Sequence, residues 1–337
     1  MRILRKAAAA LAIAAASSSV SVQASETLDA VEEQGFVQCG VSPGLPGFSN
    51  PDDQGDWSGL DVDFCRALAA AIFDDSEAVR FTPLSDELRF TALTSGEVDV
   101  LARNVPWTMV HDTDFGEFVG VNYHDGQGFM VPEELGVRSA DELDDVAVCT
   151  GADAELGVVA YFGGRGVRHT IVATKSADEA VAAYESGRCS VYSATRTSIV
   201  LERARLARPD AHVILPELIS QEPLGPLVRR GDPAWGDLAR WTLNCMIGAE
   251  AKGITSANVE KMANSDDPGI RRILGIDGDL GSRIGLADEF CAQVIRHVGN
   301  YAESHERNVG PDTELGLERG LNALWSDGGL LYALPMR

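Results

Sequence analysis

The chain is poor in basic residues, has no closely spaced cysteine pair, and carries no long apolar run beyond its first two dozen residues. Lysine and arginine number 28 against 51 acids, for a formal net charge of −23. A surface of that sign repels phosphate backbones, which excludes nucleic acid as a partner. There is no CxxC, and His111, His124, His169, His212, His297 and His305 fall at no metal-ligand spacing, so neither a metal nor another cofactor is expected. No later stretch approaches the roughly 18 apolar residues that span a bilayer. Internal repeats are absent, and so are low-complexity tracts outside the start of the chain.

What is present begins with an export leader. Arg2, Arg5 and Lys6 form a basic start, Ala7 to Ala16 a short apolar run, and Val22-Gln-Ala24 a small-residue cleavage site. The run is too short for a membrane span, so residues 1–24 read as a cleavable signal and the remainder as an exported, periplasmic protein with no lipid-anchoring cysteine. Removing the leader takes away three positive charges and no negative one. Roughly 310 residues remain, which favours two lobes over one core.

Six cysteines in an exported chain read as disulfides, with 15 pairings open on sequence alone. Cys39 ends a strand and Cys65 lies on the following helix; Cys149 and Cys189 repeat that relation around a second βα unit. These two pairs are expected. Cys245 and Cys291 either pair or stay as buried thiols.

Strands and helices alternate. Phe36 to Val41 reads as a strand, and Ser58-Gly-Leu-Asp61 as a helix start with a hydroxyl cap and an acid three residues later. Leu60, Phe64, Leu68 and Ile72 then mark one apolar helix face. Val79 to Phe81 and Val98 to Leu101 read as strands, with a helix from Glu87 to Ser95 between them. A second block repeats the pattern from Val146 to Tyr192. Alternation of this kind predicts mainly parallel, doubly wound sheets. Two Gly-rich extended stretches, near 126–131 and 222–228, suit crossings between the blocks. Asp232 to Ala251 is a further helix, with Trp235, Leu238, Trp241, Leu243 and Cys245 toward the core.

One motif invites an enzymatic reading. Gly40-Val-Ser-Pro-Gly44 matches the GxSxG pattern of a nucleophile elbow, but that elbow needs a helix directly after the serine. Pro43, Gly44 and Pro46 forbid one. Ser42 therefore reads as a turn residue, not a nucleophile, and no enzyme is expected. Gly163-Gly-Arg-Gly166 follows a helix, not a strand, and reads as a loop.

Several longer stretches carry a resemblance: Pro43-Gly-Leu-Pro-Gly-Phe-Ser49, Gly59-Leu-Asp-Val-Asp-Phe-Cys-Arg-Ala67, Ser95-Gly-Glu-Val-Asp-Val-Leu101, Asp125-Gly-Gln-Gly-Phe-Met-Val131, Glu222-Pro-Leu-Gly-Pro226, Glu306-Arg-Asn-Val-Gly310 and Gly320-Leu-Asn-Ala-Leu-Trp325. With these, the chain from about Leu28 onward resembles the general L-amino-acid-binding periplasmic proteins of ABC importers. The resemblance implies a two-lobed α/β flytrap of the type II periplasmic-binding-protein fold. Lobe one would comprise 25–128 and 227–337, and lobe two 129–226. It further implies a monomer that binds an L-amino acid or related small polar solute between the lobes and presents it to permease subunits in the inner membrane. Ligand contacts would come from Ser42, Leu45, Asn104, Val105, Pro106, Trp107, Thr108, His111, Ala152, Asp153 and Thr195. An amino acid needs a cation for its carboxylate and an acid for its ammonium. Here the chain departs from the family. His111 stands at the family's arginine, Val105 and Pro106 at threonines, Ala152 and Asp153 in its Gly-Thr-Thr, and Thr195 at its aspartate. The departures leave open a different polar solute, or a sensor-type binding protein outside transport.

Overall fold

A computed structural model describes residues 25–152 and 154–337; the leader read over 1–24, and Asp153, lie outside the described residues. Two five-stranded sheets share one plan. In the first, Val37–Val41 pairs in parallel with Val79–Pro83 on one side and Val100–Leu101 on the other. Leu227–Val228 then pairs antiparallel with Val100–Leu101, and Glu117–Phe118 closes that edge. In the second, Val146–Gly151 lies in parallel between His169–Thr174 and Val191–Thr195. Gln127–Pro132 and His212–Ile214 complete it in antiparallel fashion.

The chain passes between the sheets twice. Tyr123–Asp125 leads into the second sheet and Glu222–Leu224 leads back, and these two strands pair antiparallel as a ribbon. Register fixes where the ribbon attaches. Gln127 stands opposite Thr195, and Leu227 opposite Leu101. Both crossings therefore meet the sheets at the carboxyl ends of their parallel strands, where open α/β sheets bind ligands.

The helix predicted after Ser58 starts differently from expectation. It spans Leu60–Phe73, and its cap is Gly59 at φ 134°, with no side-chain cap bond. The Leu60 and Asp61 amides donate instead to the Gly47 and Phe48 carbonyls. A Cβ at Gly59 would lie 2.0 Å from the Phe48 oxygen, so only glycine permits this close approach. Trp241, expected in the core, is only half-buried, whereas Trp235 is fully enclosed with its indole N–H donating to the Asp99 carbonyl at 3.0 Å. Met109–Asp114 forms a short helix capped by the Thr108 hydroxyl, which accepts the His111 amide. Its six residues, fewer than two turns, leave too little periodicity to detect.

Three disulfides join Cys39 to Cys65, Cys149 to Cys189, and Cys245 to Cys291. The second ties the second sheet to its own connection. The third fastens helix Phe290–His297 to Pro233–Ala251, packing the C-terminal third beside the first sheet. Among the described residues no helix is long and apolar enough to cross a membrane.

Candidate functional site

The carboxyl end of Val100–Leu101 opens into Ala102–Thr108, and hydrogen bonds zip this loop to the ribbon. The Gly225 amide donates to the Val105 carbonyl at 3.0 Å, and the Trp107 amide to the Pro223 carbonyl at 2.7 Å. Pro106 forms an isolated bridge with Leu224. Val105 is fully buried among Leu84, Leu93, Leu101 and Phe118, so its side chain belongs to the core of the first sheet. Trp107 stacks on Phe118 with centroids 4.9 Å apart and remains 37 % exposed, so it does not sit in the core. The His111 ring nitrogen Nδ1 lies 2.8 Å from the Pro106 carbonyl, and the ring packs against Phe90. That bond leaves Nε2 as the imidazole's remaining polar atom.

Asn104 stands out in the loop. Its backbone is left-handed at φ 52°, and its side-chain oxygen is sealed from solvent without a partner. Strain of this kind clusters at ligand sites. Its amide donates to one oxygen of Asp61 at 2.8 Å, while Asn122 Nδ2 donates to the other at 3.1 Å. Burial pushes the Asp61 carboxyl up to about 7, against the opposing pull of those two donors and of Arg103. Arg103, itself buried, spends its guanidinium on the Leu84 carbonyl and on Asp86.

The Ser42–Ser49 turn lies beside the helix bearing Asp61. Ser42 donates its amide to the Ser49 hydroxyl at 3.0 Å, and Leu45 bridges Ser49 through backbone bonds. The stretch after Ser42 is a turn and bridge, so the GxSxG match lacks its elbow.

The second sheet offers a matching edge. Ala152 follows Val146–Gly151, exposed, with its amide on the Thr174 carbonyl at 3.1 Å. Thr195 ends Val191–Thr195 and caps helix Arg196–Arg205 by accepting the Ser198 amide. Beneath them Gln127 donates to the Ala154 carbonyl at 2.8 Å and to the Ser193 hydroxyl at 2.9 Å. Asp125, whose carboxyl burial raises, accepts from the Thr197 hydroxyl at 2.5 Å and the Gly126 amide at 2.8 Å. Arg196 points its guanidinium back to the Leu215 and Pro216 carbonyls.

Asn104 to His111 thus gather at one side of the ribbon, and Ala152 and Thr195 at neighbouring strand ends on the other. Asp61, Asn122, Asp125 and Gln127 are additions that motif reading missed. Asp61 and Asp63 had a detectable sign: two acids inside a helix whose other early positions are all apolar.

The family of bacterial extracellular solute-binding proteins, family 3, matches residues 37–252. The general L-amino acid-binding periplasmic protein AapJ of Rhizobium johnstonii is 48% identical over 335 residues, covering 98% of this chain and 97% of its own. The glutamate/glutamine/aspartate/asparagine-binding protein BztA of Rhodobacter capsulatus is 46% identical over 333 residues, covering 98% of this chain and 96% of its own. Among solved structures, a periplasmic binding protein of an ABC transporter from Brucella ovis with glutathione bound is 49% identical. It covers 92% of this chain and 99% of its own, with a TM-score of 0.83. On this evidence the chain belongs to the bacterial extracellular solute-binding proteins, family 3.

Proposed function

We propose that this protein is the periplasmic receptor of an ABC importer, closing as a monomer around an amino acid or a small peptide with an amino-acid head. Lobe one is taken as 25–128 with 227–337 and lobe two as 129–226, hinged near 126–131 and 222–228. The observation that supports the reading is the ribbon's attachment at the carboxyl ends of both sheets, beside the loop of Asn104 on one sheet and the strand end of Thr195 on the other. Closure draws on contacts that each lobe makes with the solute, and no bond is made or broken. The permease then meets the closed form. The relatives' names support an amino acid; the glutathione on the Brucella ovis relative supports a γ-glutamyl peptide, which shares the ammonium and α-carboxylate.

The test is a melting-shift scan of the exported protein against the 20 common amino acids, their amides and glutathione. A solute held at 100 times its Kd adds about 2.7 kcal/mol of stability. A flat response to all of these, with a response to another polar solute, overturns the amino-acid reading.

The altered grip gives a second measurement. His111→Arg combined with Thr195→Asp returns a fork for carboxylate and an acid for ammonium. Asp also serves as a helix cap, so the start of Arg196–Arg205 survives the change. A charged hydrogen bond contributes roughly 1.5–3 kcal/mol, so calorimetric titration with L-glutamine is expected to show at least about tenfold tighter binding. Unchanged affinity would mean that His111 and Thr195 do not meet the solute.

A further inference from the structure

Asp61 is joined to both moving parts of the site. It is the second residue of helix Leu60–Phe73 and only 3% exposed. One oxygen holds the Asn104 amide and the other the Asn122 side chain. Asn104 lies in the loop that is zipped to Glu222–Leu224, while Asn122 leads into Tyr123–Asp125, the other strand of the ribbon. The Asn122 amide donates to the Leu224 carbonyl at 2.7 Å, and its own carbonyl accepts the Tyr301 hydroxyl at 2.9 Å. A single carboxylate thus closes a ring through the lobe-one helix, the strand-end loop and both crossings. Its neighbour Asp63 is turned away, toward Ser304, Arg307 and Asn308.

We infer that Asp61 is a positioning residue: its ionised carboxylate holds the Asn104 loop and the hinge strand in one register, and losing either acceptor lets the two move independently. The residue touches no solute. A carboxylate suits the role because both partners are donors, and only an ionised acid accepts at both oxygens. Protonation turns one acceptor into a hydroxyl donor facing a donor. The charged group that faces Asp61 is Arg103; the other partners, Asn104 and Asn122, do not titrate.

The local and global effects of pH run in opposite senses. Asp61 has a folded-state pKa near 7, above that of an unfolded aspartate. The folded chain therefore binds the proton more tightly, so this group's contribution to global stability falls as pH rises toward 7. The tie to Asn104 and Asn122 strengthens over the same interval. A residue that merely stabilises the lobe cannot reproduce that divergence.

Hydrogen exchange on the full chain without solute reads the tie directly. Asp61→Ala is expected to speed exchange about tenfold or more in peptides covering 102–111 and 121–126, while peptides of Leu60–Phe73 and Val37–Val41 change little. In the native protein, exchange in the first two peptides, corrected for intrinsic rate, is expected to slow as pH rises from 6 to 8 by ~2 units around the Asp61 transition. Asp61→Asn, which keeps the shape and cannot ionise, should flatten that dependence even where Asp61→Ala fails to fold. Uniformly faster exchange across lobe one, unchanged exchange in both peptides, or an Asp61→Asn profile like the native one each overturns the inference. Since no solute is added, these failures concern the tie alone; a native protein that binds neither amino acids nor glutathione fails the proposed function alone.

Discussion

Replacing Cys245 and Cys291 together with alanine is expected to lower the unfolding free energy of lobe one by about 4 kcal/mol. The two residues are 46 positions apart, the longest separation of the three bridges. Constraint of the unfolded chain grows with the logarithm of that loop, so Cys39–Cys65, with a separation of 26, is expected to contribute about 3.5 kcal/mol. Both sulfurs of the longer bridge are fully buried between helices Pro233–Ala251 and Phe290–His297, so the variant also loses packing there. The chain supplies its own probe. Its five tryptophans are Trp57, Trp107, Trp235, Trp241 and Trp325, and none lies in the second sheet or its connections. Urea titration followed by tryptophan fluorescence therefore reports on lobe one. The midpoint should fall with the slope unchanged. The corresponding Cys149, Cys189 double variant should leave this transition near its native position, since that bridge lies wholly within the other lobe. A loss under about 1 kcal/mol for the first variant would show that the C-terminal third is held by packing alone, without help from the bridge.

How far the sequence carries depends on the kind of signal. Alternating strands and helices were legible because period and length differ between them: strands expected from Phe36 and from Val146 are found as Val37–Val41 and Val146–Gly151, each opening a parallel block. Glycine pointed to crossings near 126–131 and 222–228; the ribbon itself pairs Tyr123–Asp125 with Glu222–Leu224, and Gln127–Pro132 is already a strand of the second sheet. The cysteine pairs at 39 and 65, and at 149 and 189, followed from repeated strand–helix relations, whereas Cys245 with Cys291 had no such pattern and became clear only from the packing of two helices far apart in sequence. The start of Leu60–Phe73 was misread because Ser58 and Asp61 imitate a capping box. The true cap is made by carbonyls of Gly47 and Phe48, which no local motif encodes. At the site, motif position could name the loop from Asn104 to His111 but not the orientation of its side chains. Val105 turns into the core while Trp107 stays at the surface, because the loop is zipped residue by residue to a strand more than a hundred positions away. Asp61 was visible as an acid in an otherwise apolar helix start, but its role was not, for the same reason: that role is set by two partners, Asn104 and Asn122, that come together only when the lobe is assembled.

Asp63→Ala is expected to destabilise lobe one by about 3 kcal/mol, near the lower end of what breaking a buried charged contact costs. Asp63 is 4% exposed, and one of its oxygens collects three donors: the Ser304 hydroxyl, Arg307 and the Asn308 amide, each at 2.6 Å. All three lie on Tyr301–Val309, so this carboxylate is the polar fastening between that helix and Leu60–Phe73. Its removal leaves Ser304, 1% exposed, without its acceptor. Arg307 is 42% exposed at its side chain and can turn to water, which is why the larger values for a fully enclosed pair are not expected. Asp63→Asn keeps one acceptor and should fall between the native protein and the alanine variant. The same fluorescence-monitored urea titration measures both. A cost below about 1 kcal/mol would place the contact among ordinary surface ion pairs. The fastening also bears on solute binding. Leu60–Phe73 carries Asp61 two residues before Asp63, and Tyr301 at the start of the partner helix donates its hydroxyl to the Asn122 carbonyl at 2.9 Å. Loosening the two helices therefore shifts both ends of the Asp61 tie, and the Asp63→Ala variant should bind its solute more weakly than its remaining folded fraction alone accounts for.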